Sequence, residues 1–353
     1  MSIILKLQKT LRHTLNPLIG KLYCRIKTFL SHSDNRHFLE YFSPFNNVYN
    51  KRLTTDKYDN RGIEYTDPSK TVLIKCPDRL SGEVEILQSV KVILGGDTDV
   101  NSPFYTCRNT ITSLKFAAFS KCESICHFCF SSSSLESADL RQCENLAYLN
   151  YSVFSRCIKL STFYFPPNIK AIKSGCFFRC SALSTINLPD SVEEIDSYVT
   201  DHYIAFSGTA STAMNISPNS NLTTLKFECF CGIKCKSLFI PKKVTTIGTS
   251  IIYGSSIETI TIDKDNPMYV TDGKSVYSGE NNKTLVLVVP TISGEFVVPS
   301  FVQELYDGCL RSSHITNIVF HDNRDLRVHS NCACANKVSR ESIRCKRLYF
   351  MYM

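Results

Sequence analysis

Apolar positions recur along the middle of the chain at a fixed long interval. Residues 153–166 (VFSRCIKLSTFYFP) superpose on residues 176–189 (CFFRCSALSTINLP) at an offset of 23 residues. Phe154 falls on Phe177, Cys157 on Cys180, Leu160 on Leu183, Phe163 on Ile186 and Phe165 on Leu188. Ile169 and Ile172 keep the same offset to Val192 and Ile195. The unit reads F-x-x-C-x-x-L-x-x-I-x-L-P followed by V-x-x-I. The last apolar residues of L-x-x-I-x-L lie two apart, which puts them on one face of a short strand and turns the intervening residues outward. Proline directly after the strand has no N–H to donate and ends it. No single unit can bury its apolar face alone, so the pattern predicts stacked coils around one shared core.

Further copies follow when small deletions are allowed. Phe230, Cys235, Leu238, Ile240 and Pro241 form one, continued by Val244 and Ile247. Ile252, Ile257, Ile260 and Ile262 form another, and Leu310, Ile315, Ile318 and Phe320 a third. Upstream, Phe119, Cys122, Ile125, Phe128 and Phe130 are read in the full-length form. A unit of 22 to 23 residues falls in the range of leucine-rich repeats. The fold class expected is therefore a repeat solenoid of short parallel β-strands joined by loops and short helical turns. Its expected span is 59–322, with a protruding loop inserted near 197–221, where polar and small residues break the pattern. A basic, partly helical segment is expected over 1–58 and a basic, irregular tail over 323–353.

The unit resembles the BspA-like leucine-rich repeats, whose usual form is close to I-P-x-S-V-T-x-I-G-x-x-A-F-x-x-C-x-x-L. Residues 188–195 (LPDSVEEI) and 240–248 (IPKKVTTIG) carry the resemblance most closely. Residues 263–290 look like the family's longer element, and residues 283–305 align with 70–93 as a second copy of it. Where the repeat stops near residue 321, the chain reads as a truncated or diverged member. The resemblance implies a surface-antigen type of protein that acts in cell adhesion through contact with host or matrix proteins.

Charge narrows the possible partners. The formal net charge is +8, but residues 1–30 carry +6 and residues 324–347 carry +5, so the body between is slightly acidic. No basic field along the repeats would draw a phosphate backbone, and nucleic acid is not an expected partner. Ile4, Leu7, Leu11, Leu15, Leu18 and Leu22 recur at helical spacing among lysines and arginines. That segment reads as a helix capping the first coil, as a peripheral contact with an anionic membrane surface, or as an organelle-targeting segment. No run of apolar residues is long enough for a membrane-spanning helix, and the first residues lack the form of a standard secretory signal.

Seventeen cysteines suggest chemistry. Cys122, Cys126, Cys129 and Cys143 have near-metal spacing, and Cys229, Cys231 and Cys235 form a second group. Against this, Cys122, Cys157 and Cys180 read as one repeat position filled by a small buried residue, whereas Cys126 and Cys129 read as outward-facing. No nucleophile-elbow, zinc-protease or phosphate-loop string occurs, and eight scattered histidines form no evident catalytic pair. Neither an enzyme nor a cofactor or metal is expected. Four Asn-x-Ser/Thr acceptors, at Asn150, Asn215, Asn221 and Asn282, occur about as often as chance allows and leave the compartment open.

The function expected is protein–protein recognition with an unidentified protein or extracellular-matrix partner. The candidate contacts are the outward strand positions Ser184, Thr185, Asn187, Glu258, Thr259 and Thr261. An intracellular leucine-rich-repeat scaffold is the alternative, with the cell surface and the cytoplasm as the respective locations.

Overall fold

The computed structural model describes residues 57–96, 98–197, 204–311, 314–320, 326–329, 332 and 348–351. The expected N-terminal helix and its membrane contact lie outside the described residues. The body is a β-solenoid of about eleven turns with coils of about 23 residues.

Each coil contributes to two parallel ladders. One is built from the V-x-x-I end of the unit as two-residue strands: Tyr148–Leu149, Ala171–Ile172, Glu194–Ile195, Thr224–Leu225 and Thr246–Ile247 pair in that order. The other is built from the L-x-x-I-x-L end. Gly82–Ile86, Ile111–Phe116, Ser137–Asp139 and Thr162–Tyr164 form its first sheet. Thr185–Asn187 with Ala213–Asn215, and Ser237–Ile240 with Thr259–Ile262, continue it as separate pairs. Alternation sets the register here, because a slip of one residue would expose Leu114, Ala138, Ile186 and Ile260, all now buried.

The corner between the ladders carries an aromatic spine. Phe104, Phe130, Phe154, Phe177, Phe206 and Phe230 are fully buried and stack coil on coil. Successive ring centroids lie 4.5, 5.3, 5.9, 5.5 and 6.4 Å apart. The chain turns sharply around each ring. The residue two places after it adopts a left-handed conformation at Ser132, Arg156, Arg179, Gly208 and Gly232. Glycine does this without the Cβ clash that the arginines tolerate.

Three sequence expectations need correction. Residues 204–221 are no protruding loop: Phe206 joins the spine and Ala213–Asn215 pairs in parallel with Thr185–Asn187. Phe206 stands 11 positions after Ile195, where Phe177 stands five after Ile172, and this local lengthening disguised a coil. The ladder also runs past residue 322, since Leu326–His329 pairs with Glu304–Leu305 and Leu348–Met351 pairs with Leu326–His329. Finally, Phe119 is 81% exposed and is no core residue. Cys122 takes the place of Val192 before the short strand, and Cys235 takes the place of Leu183 before the long one.

The longer element does occur twice. In one copy Glu64–Tyr65 pairs antiparallel with Val72–Lys75, which then pairs in parallel with Val92–Ile93. In the other Ser275–Ser278, Thr284–Val288 and Glu304–Leu305 repeat that arrangement. Each begins with an aspartate that accepts backbone N–H groups and a tyrosine hydroxyl: Tyr65 donates to Asp59 at 3.1 Å and Tyr277 to Asp272 at 2.8 Å.

Candidate recognition face

Side chains between the buried positions of the long strands point away from the core in two rows that cross the coils. The structure places all six candidate contacts at exposed positions. Thr185 and Asn187 flank buried Ile186, and Thr259 and Thr261 flank buried Ile260. Ser184 and Glu258 sit at the strand entrances. The Ser184 carbonyl accepts the Thr212 N–H at 2.9 Å, and Glu258 is ion-paired with Lys236.

The hydrogen-bond ladder is interrupted between Ala213–Asn215 and Ser237–Ile240. A shallow depression of about 450 Å³ is lined from both sides of this break. Leu188, Met214 and Ile216 supply its apolar lining, Phe239 its aromatic one, and Asn187, Asn215, Ser217, Ser237 and Thr261 its amides and hydroxyls. The Asn215 amide donates to the Asn187 amide oxygen at 2.7 Å, so the two side chains hold each other in place. Of the six candidates, Asn187 and Thr261 reach this depression. Sequence reading missed Asn215 and Met214 because their strand lay inside the supposed loop. It also missed Phe239, although an apolar residue between Leu238 and Ile240 must face outward in a strand.

The middle of the long-strand ladder differs in charge from the short-strand ladder. On the short-strand side, Lys173 lies 3.2 Å from Glu194 and 3.4 Å from Asp196, and Lys226 lies 3.0 Å from Glu194 and 3.4 Å from Asp196. Burial alone would raise the Glu194 carboxyl, but Lys173 and Lys226 more than offset it and hold it below its ordinary value. Burial likewise disfavours charged Lys173, and Asp196 and Glu194 reverse that. The long strands from Thr162–Tyr164 to Thr259–Ile262, by contrast, carry no side chain that is charged at neutral pH in either outward row.

The cysteines belong to the core. All fourteen described ones are thiols, and twelve of them are buried. Cys129, expected to face outward, is fully buried and directs its sulfur at the Ile93 carbonyl, 3.5 Å away. Cys126 is half-buried, and burial raises its pKa. Burial likewise pushes the thiols of Cys129, Cys176 and Cys229 up, which favours the unreactive protonated form. Among the described residues, no three His, Cys, Asp or Glu side chains gather as a metal site.

The BspA type leucine rich repeat region matches six copies along the chain, over residues 100–204 and 202–287. The chain belongs to the BspA-type leucine-rich repeat family. No curated protein matches it. A leucine rich cell surface protein from Faecalibacterium prausnitzii A2-165 is similar in structure at a TM-score of 0.55 and 17% identity, covering 79% of this chain and 68% of that one. The pneumococcal vaccine antigen PcpA aligns at a TM-score of 0.48 and 14% identity, over 84% of this chain and 69% of its own. A leucine-rich repeat protein from Eubacterium ventriosum aligns at 0.43 and 16%, over 74% and 62%. BspA-type solenoids are scaffolds for protein interaction and are typically non-catalytic. No helix among the described residues is long and apolar enough to cross a membrane.

Proposed function

We propose that this BspA-type chain is a non-catalytic recognition module that acts in adhesion at a cell surface, binding a protein or extracellular-matrix partner through its long-strand face. The observation that carries the reading is the alignment of exposed side chains, Thr185 and Asn187 in one coil and Thr259 and Thr261 in another, around buried residues that fix their direction. Rows held on a rigid stack lose little conformational entropy on binding, which favours such a face over mobile loops. Ser184 and Glu258 would contribute at its edge.

Antibody labelling of intact cells beside permeabilised ones tests the location. Signal on intact cells is expected, and signal only after permeabilisation overturns the adhesion reading. Binding of matrix proteins to the purified chain, with Thr185, Asn187, Thr259 and Thr261 replaced together by alanine, tests the face. The second reading, an intracellular scaffold, draws on the fourteen cysteines standing as thiols, a state that reducing compartments maintain.

A further inference from the structure

We propose that the depression at the break in the long-strand face is a binding site for a neutral glycan, carried by the glycoprotein partner that this face recognises. The inference rests on the reading of this face as a recognition surface and names the chemistry of what it takes.

Charge is the first argument. Ten outward positions run across five coils from Thr162 to Thr261, and none is ionisable as an acid or base at neutral pH. Charged groups border this strip: Asp139 and Arg141 on one side, and the Lys236–Glu258 pair at the strand entrances, each already engaged with its partner. A surface that discriminated an acidic glycan or a charged peptide would place unpaired charge inside the strip. This one offers amides and hydroxyls.

Shape and composition are the second. Sugars present apolar C–H faces and a rim of hydroxyls that both donate and accept. The depression supplies the counterparts, with Phe239 and Met214 beside Asn187, Asn215, Ser237 and Thr261. The Asn215–Asn187 hydrogen bond uses one donor and one acceptor site of the pair. It leaves the remaining amide groups oriented together, as two-point contact with adjacent hydroxyls requires. Tyr164, 45% exposed and one 23-residue repeat before Asn187, extends the aromatic character along the strip.

The test uses the full chain produced in a bacterial host, so that Asn215 carries no glycan of its own. It is applied to a printed array of neutral, sialylated and sulfated oligosaccharides. Retention of a subset of neutral members is expected. Phe239→Ala and the near-isosteric Asn215→Asp should each weaken it roughly tenfold or more, as loss of a central contact does. Lys170→Ala on the other ladder should leave it unchanged, and thermal melts confirm that the variants fold. A preference for acidic members, or no retention, overturns the glycan assignment. Matrix proteins with their glycans enzymatically removed separate the two readings. Binding that survives deglycosylation but is lost in Phe239→Ala makes the partner a polypeptide and overturns the glycan site alone. Binding indifferent to both treatments overturns the face itself.

Discussion

Phe177 is stacked between Phe154 and Phe206 at 5.9 and 5.5 Å and is fully buried. Truncating it would leave a void bounded by two coils that cannot close without breaking both ladders. Phe177→Ala should therefore cost about 3–5 kcal/mol in urea unfolding, whereas Phe119→Ala should stay within about 0.5 kcal/mol. Equal effects would mean that the rings do not form a spine. His127 makes a different contribution. Burial lowers its pKa from 6.5 to about 4, and its ring packs edge-on against Tyr151 at 5.1 Å. The folded value lies below the unfolded one, so on acidification the unfolded chain takes up the proton first. Its contribution is complete above about pH 6.5 and is lost as the pH falls toward 4. The expected loss is about 2 kcal/mol once the partial exposure of the ring is allowed for. Comparing unfolding at pH 7.5 and 5.0 in the wild type and in His127→Gln checks this, because the variant should lack that part of the pH dependence.

The coil as an element depends on its corners. Gly232 has a φ of 70°, and an added Cβ would meet nothing closer than the Ser207 hydroxyl at 3.5 Å. Gly232→Ala should thus carry only the conformational penalty, about 1 kcal/mol. Gly95→Ala should cost considerably more, since its Cβ would fall 2.0 Å from the His127 carbonyl oxygen of the next coil. Thermal melts that ranked the two the other way would refute the account of coil spacing. The period was legible in the sequence because Phe154, Cys157 and Leu160 recur with Phe177, Cys180 and Leu183 at one constant offset. Register failed wherever one residue type served several positions. Cysteine fills a place before the short strand at Cys122, the place directly before the spine ring at Cys129 and Cys176, and the place three residues after it at Cys157 and Cys180. A pattern that counts only cysteine and phenylalanine therefore slipped at Phe119 and at Cys235. The recognition face was half legible for a related reason. Alternation shows which side chains leave the core, but a break in the ladder depends on how neighbouring coils meet, and no single coil records it.

At the scale of the whole body, two cores meet within one stack. The larger runs from Ile63 to Val289 and the smaller from Tyr277 to Cys332, with Ile292 and Tyr306 packed against both. Their boundary falls where the second antiparallel element, Tyr269–Thr271 with Ser275–Ser278, interrupts the succession of parallel coils. In a stack of coils, stability is a sum over neighbours, so a coil flanked by many others opens less readily than one near the end of a short series. Peptides containing Leu305, Ile315 and Val328 should then exchange their amide hydrogens faster than those containing Ile172, Ile195 and Ile247. Leu305→Ala should accelerate exchange in the smaller core and leave the peptides around Ile172 unchanged. If that substitution instead loosened both regions together, the second element would be transmitting stability across the boundary, and the stack would unfold as one cooperative unit. The same experiment bears on recognition, since the strands that carry Asn187, Asn215 and Phe239 bury Ile186, Met214 and Leu238 in the larger core. A binding face held in the slowly exchanging part of the stack stays preformed, and its affinity should be insensitive to Leu305→Ala.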